Sequence, residues 1–166
     1  MEPSSSRPFM PGYGISPANE GTGLLPWSWA VQRLVGSRYY WVSTVRPNGR
    51  PHSMPVWGVW IQEQIWFSSS GGSRKTLNIA SNPWVVVSTD DATEPVVVEG
   101  NARRVSSAGE PELVRAFADA VNAKYATDYP AEFFLENATF SVRPDRVIAM
   151  TESDFESSPT RWTFGG

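Results

Sequence analysis

At 166 residues with no cysteine and a single histidine, the chain has room for one hydrophobic core and lacks the ligands for disulfides, iron–sulfur clusters, thiolate zinc sites or thiolate catalysis. Its 14 basic and 17 acidic residues leave a net charge of −3, which gives no global attraction to nucleic acid or to an anionic membrane. The apolar runs are far shorter than the roughly 20 residues of a membrane span, and the first 20 residues hold no signal-peptide core, so the expectation is a cytoplasmic protein with neither a membrane nor a nucleic-acid partner.

Residues 1–23, with four prolines, four glycines and four serines, bury too little apolar surface to offset their ordering entropy and read as a mobile arm. Residues 24–166 read as one domain. Pro26 opens a helix that Trp27, Ala30, Val31 and Leu34 continue at helical spacing and Gly36 ends. The β-branched and aromatic run 38–46, followed by the turn residues Asn48-Gly49, predicts a hairpin. Its returning strand, 52–61, is interrupted by Pro55, which cannot donate to a ladder and marks an edge, a bulge or a place left open for a ligand.

A third strand is expected over 65–69, then a glycine loop at 71–72 and a short helix over 73–80 that ends at Asn82-Pro83. Strands follow at 84–89 and 96–105, joined by an acidic turn. An amphipathic helix over 110–125 and a last strand or pair over 139–150 complete the pattern, and the aromatic tail 155–164 is expected to be docked.

The chemistry concentrates at residues 68–75. Ser73 can cap the helix that follows, which puts Arg74 and Lys75 in its first turn, where unsatisfied N–H groups already make the potential positive. A bare helix start prefers Asp or Glu by a few tenths to about 1 kcal/mol, so two cations there ask for an anion. Hydroxyls of Ser68, Ser69 and Ser70, with Gly71-Gly72 letting backbone approach closely, complete the parts of a phosphate grip. A solvated basic loop is the alternative that spacing alone leaves open. One histidine without a carboxylate cluster does not make a metal site, and Asp90-Asp91 reads as a solvated turn.

The run Phe67 to Lys75 resembles the strand, loop and Ser-Arg-Lys segment of the pyridoxamine 5'-phosphate oxidase-like split-barrel family, whose members bind flavin mononucleotide (FMN) or deazaflavin. The resemblance extends over about 25–105 and resumes weakly near the C-terminus. It implies a mainly β fold, a six-stranded antiparallel split barrel with short flanking helices, assembled as a homodimer. It also implies that Ser68, Ser69, Ser73, Arg74 and Lys75 hold the cofactor phosphate, and that Ser53, Met54, Pro55, Val56 and Trp57 line its ring system. The phrases Leu25-Pro26-Trp27, 50–60 and 157–162 are similar to the actinobacterial deazaflavin-dependent reductases of this family. The chain departs from the oxidase pattern, with Ser53 in place of an arginine and Glu94-Pro95 in place of a glutamine-bearing segment.

What the resemblance implies is an oxidoreductase that uses coenzyme F420 to reduce a conjugated or aromatic small molecule of quinone, lactone or tetrapyrrole type. FMN in the same fold, or a non-catalytic carrier, are the alternatives. The cofactor carries the hydride chemistry, so no catalytic side chain is required. Met54, Trp57 and Trp60 are candidate walls for a flat substrate, and solvent, His52 or Tyr40 are candidate proton sources. Arg38, Arg50, Arg103 and Arg104 are candidates for a polyanionic cofactor tail, and Arg161 and Trp162 for closing a partner's pocket.

Overall fold

The computed structural model describes residues 2–105 and 109–165. They form β1 (Ser4–Ser6), α1 (Trp27–Gly36), β2 (Tyr40–Val45), β3 (Pro51–Val56), β4 (Gly58–Ile61), β5 (Gln64–Ser69) and α2 (Arg74–Ser81). The second half adds β6 (Trp84–Thr89), β7 (Val96–Arg104), α3 (Pro111–Tyr125), α4 (Ala131–Glu136), β8 (Ala138–Ala149) and β9 (Thr160–Thr163).

All strand pairs are antiparallel and run β3-β2-β6-β7-β8-β5-β4 around a barrel. Between β3 and β4 the chain continues through Trp57, so this seam is closed covalently and β3 keeps one unpaired edge. Period-two burial sets the inside: Tyr40, Val42 and Thr44 of β2 face in while Trp41 and Val45 face out. In β5 the alternation serves two cores. Ile65 and Phe67 pack inside the barrel with Val42, Val87, Phe140 and Trp162. Trp66 packs outside it, against Phe117, Val121 and Phe134 of α3 and α4.

The long strand β8 turns a corner at Pro144. One of its edges pairs with β5 over 138–142 and with β9 over 146–149, while β7 shifts register between Glu99 and Gly100. Gly100 is demanded there, because a Cβ would stand 2.1 Å from the Arg143 carbonyl oxygen.

Nine strands replace the six expected. The stretch 52–61 divides into two strands, and the division falls at Trp57 rather than at Pro55, which lies within β3 opposite Trp41. The other two are the short terminal strands β1 and β9, which pair with each other. The arm expected to be mobile is therefore held by the chain's own C-terminal segment. Arg7 adds hydrogen bonds to the carbonyls of Ser16 (2.9 Å), Ser157 (2.7 Å) and Pro159 (2.8 Å). Helix α4 was not expected from the sequence. No helix among the described residues is long and apolar enough to cross a membrane.

Candidate functional site

Three pieces of local structure meet beside β3: the C-terminal end of β5, the start of α2 and the Trp57 seam. Ser73 caps α2 as its sequence position predicts, its Oγ accepting from Thr76 N–H at 3.3 Å. The Ser73 hydroxyl also lies 2.9 Å from Ser69 Oγ and donates to Thr76 Oγ1 at 3.0 Å. Thr76 Oγ1 donates to the Ser70 carbonyl at 2.9 Å, which ties the glycine loop to the helix. The first turn of α2 holds no acidic residue.

The cations of this turn are poorly paired. Lys75 Nζ donates to Ser69 Oγ at 3.4 Å, a long bond to a neutral acceptor, and partial burial holds its pKa below the ordinary lysine value. Arg74 is exposed and pairs with no carboxylate among the described residues. His52 of β3 lies close enough for Arg46, Lys75 and Arg74 to press its pKa down, after the larger effect of burial. Its Nδ1 is buried and has no hydrogen-bond partner. Two cations without a carboxylate partner among the described residues, at a capped helix start, suit a bound phosphate dianion.

The unpaired edge of β3 supplies a second element. A proline inside a paired strand must turn its nitrogen away from the partner, so residues 51, 53 and 55 direct their nitrogens to the open edge. Pro51 and Pro55 carry no N–H, which leaves Ser53 N–H as the donor between them. The Ser53 side chain is on the outer face of the sheet, where its Oγ accepts from Ser43 Oγ at 2.9 Å.

Trp57 supplies the third. Its indole is 40% exposed and stacks on Tyr125 of α3, with centroids 4.4 Å apart and planes within 3°. The Tyr125 hydroxyl accepts from Gly58 N–H at 2.9 Å and donates to the Arg38 carbonyl. Lys124 donates to the Gly58 carbonyl at 2.9 Å and to Tyr40 Oη at 3.0 Å. Burial lowers Lys124 to about 8. Two neighbouring residues of one helix thus clamp the backbone that follows the exposed indole.

The Pyridoxamine 5'-phosphate oxidase family model matches residues 30–151, a span that contains every element of this site. The chain belongs to that family. Among solved structures, a conserved hypothetical protein of Mycobacterium tuberculosis superposes with a TM-score of 0.68 at 21% identity, over 77% of this chain and 86% of that one. An F420 reductase superposes with a TM-score of 0.56 at 27% identity, over 70% of this chain and 93% of that one. A pyridoxamine 5'-phosphate oxidase-related, FMN-binding protein of Nostoc punctiforme gives 0.58 at 19% identity, over 88% and 100%. No curated protein sequence matches the chain.

Within this family fold, the residues expected to hold a phosphate come together in part. Ser69, Ser73 and Lys75 form one bonded cluster with Arg74 beside it. Ser68 turns to the other side of β5 and donates to the Ala138 carbonyl at 3.4 Å. Along β3, Met54 is 48% exposed, Pro55 is exposed on the outer face, and the Val56 side chain belongs to the barrel core.

Several secondary candidates are corrected. Trp60 packs edge-on against Trp27 at 6.2 Å and is not a wall beside Trp57. Trp162 is buried in the chain's own core, 5.5 Å from Trp27, and cannot reach a partner, while Arg161 bonds to Ser6 Oγ. Tyr40 is fully buried, donates to the Leu34 carbonyl and is pushed well above the usual tyrosine range by burial, so it is no proton source. Arg103 pairs with Glu110.

Sequence reasoning missed Tyr125, Lys124 and the α4 aromatics. Pro130 before Ala131 was the one local signal for that helix.

Proposed function

We propose that the chain is an F420-dependent oxidoreductase that reduces a conjugated or aromatic small molecule. The observation that carries the reading is the unsatisfied cationic cluster at the start of α2, above all the half-buried Lys75 ammonium with only a neutral hydroxyl at 3.4 Å, set beside the open edge of β3. Ser69, Ser73, Arg74 and Lys75 would hold the cofactor phosphate. Ser53 N–H and the Met54–Trp57 stretch would hold its ring. When bound, the reduced deazaflavin supplies a hydride. The chain binds and orients, and the walls around Trp57 exclude water; the product's proton comes from solvent or through His52.

The sequence phrases similar to deazaflavin-dependent reductases support F420 over FMN. So does the F420 reductase structure, which shares 27% of its aligned sequence with this chain where the FMN-binding structure shares 19%. A homodimer is part of the proposal. Trp41, Val45, Trp84 and Val86 are all exposed on β2 and β6, with Pro55 of β3 opposite Trp41, an apolar sheet face suited to a second copy of the chain.

The test is to purify the protein from a host that lacks deazaflavin, titrate it separately with F420 and FMN, and assay turnover of reduced F420 with quinone, lactone and tetrapyrrole acceptors. Tight F420 binding with hydride transfer to one acceptor class is expected. A stoichiometric yellow flavin in the purified protein would move the assignment to FMN, and tight binding without any turnover would move it to a carrier.

A further inference from the structure

Between the end of β5 and the helices α3 and α4 lies a cavity of about 180 Å³. Its apolar walls are Trp57, Phe117, Val121, Phe133 and Phe134. The aromatic walls are mutually braced: Phe134 meets Phe117 edge-on at 5.2 Å and Phe133 at 5.2 Å, and Phe133 stacks on Tyr129 at 4.9 Å. The lining Phe133 and its stacking partner Tyr129 are both more than 40% exposed.

The serines and the asparagine of the lining are neighbours, since Ser69 pairs with Ala138 across β5 and β8. Residues 68–70 line the cavity, together with Asn137, whose Nδ2 is engaged by the Phe133 carbonyl at 2.7 Å while its Oδ1 accepts nothing among the described residues. No charged residue lines the cavity. Lys75, which bonds Ser69 Oγ at 3.4 Å, is not among the lining residues.

We propose that this cavity is a binding pocket for an uncharged, planar, six-membered ring carrying one hydrogen-bonding substituent. The volume accommodates one such ring, since an apolar cavity of about 150 Å³ takes one benzene. Wall chemistry sets the charge, since an ion entering an aromatic pocket without a counter-charge loses its hydration uncompensated. The cluster of serines with Asn137 sets the orientation, with the substituent among them. The cavity shares Trp57 and the serine strand with the proposed cofactor site but takes its other walls from α3 and α4, so it seats the substrate ring beside the cofactor. That last assignment rests on the proposed function, whereas the pocket and its ligand class do not.

The experiment is an amide NMR titration of the ¹⁵N-labelled protein with phenol, benzoate and benzylammonium, without cofactor and then saturated with F420, whose binding is followed separately by absorbance. Phenol is expected to shift amides of 68–70, 117–121 and 133–137 in both states, with benzoate and benzylammonium at least about ten-fold weaker in the loaded protein. Phe133→Ala is expected to weaken phenol several-fold with F420 affinity unchanged. Val121→Met, which fills the cavity without opening α4, is expected to do the same while keeping or raising the melting temperature.

Failure of phenol to shift these amides, or benzoate binding as tightly as phenol, overturns the ligand class. Displacement of phenol by F420 overturns the substrate assignment and gives the cavity to the cofactor ring. Phenol binding to a protein that takes up no F420 leaves the pocket standing and removes the proposed function instead.

Discussion

The Tyr125 ring lies flat against the Trp57 indole while its hydroxyl holds the buried amide of the next residue, Gly58. One side chain from α3 therefore sets both the tilt of the exposed indole and the path of the seam between β3 and β4. Tyr125→Phe keeps the stack and strips Gly58 N–H of its partner. Urea unfolding should show a loss of about 1 to 3 kcal/mol, the cost of an unsatisfied buried donor. An unchanged midpoint would mean that the hydroxyl does not hold the seam.

Lys75→Ala tests the grip. A half-buried lysine at a helix start, bonded only to a neutral hydroxyl, adds nothing to stability, so the melting temperature should hold or rise. Cofactor affinity should fall by about ten- to a hundred-fold, the worth of one charge-assisted hydrogen bond to a phosphate. The measurement is an absorbance or fluorescence titration, and equal affinity in the two proteins would remove the main physical argument for the site.

Lys75 and Lys124 are the chain's two lysines, and burial lowers both, Lys124 to about 8. Above that value the folded protein has released a proton that the unfolded chain still binds, up to the ordinary lysine value of 10.5. Unfolding then takes up protons, so stability rises with pH from about 8 toward 10. Near 10 the sign turns, because Tyr40 and Tyr125, both raised mainly by burial, keep their protons when the unfolded chain loses them. Urea midpoints across this range should rise in the wild type and rise less in Lys124→Met. A midpoint that falls equally in both proteins would contradict the lowered lysine.

The turn from β4 to β5 places Gln62 and Glu63 at φ of 52° and 57°, the left-handed region that Asn-Gly fills at least cost. Gln62→Asn with Glu63→Gly should stabilise the protein by about 1 kcal/mol, less strain outweighing the added freedom of the unfolded chain. Calorimetry should show the melting temperature rising by about 2 to 4 °C, with ligand binding unchanged. A lower melting temperature would show that the present side chains make contacts worth more than the strain.

Features governed by neighbouring residues were legible in the sequence. Ser73 as the cap of α2, the hairpin after β2 and the bounds of β6 all follow from side chains a few positions apart. That Ser69, Ser73 and Lys75 gather at the start of α2 was readable for the same reason. Features that depend on distant pairing were not. Strands β1 and β9 exist because Ser4 meets Thr163, and the clamp on Trp57 joins Gly58 to Tyr125, 67 positions away. Tryptophans were the least readable residues. Trp57, Trp60 and Trp162 look alike in a pattern, yet one is exposed and stacked on Tyr125, one half-buried against Trp27 and one barrel core. The chain breaks its strand at Trp57 and not at Pro55, because an edge strand tolerates a proline whose nitrogen faces outward.

The outward prolines of β3 have a consequence for behaviour in solution. An open sheet edge with a full row of donors templates the addition of further strands and, with it, fibrous aggregation. Pro51 and Pro55 leave a single donor at Ser53, too few to recruit another chain's backbone and enough to meet one carbonyl. The same two residues that thin the edge's donors keep it closed to another polypeptide's backbone.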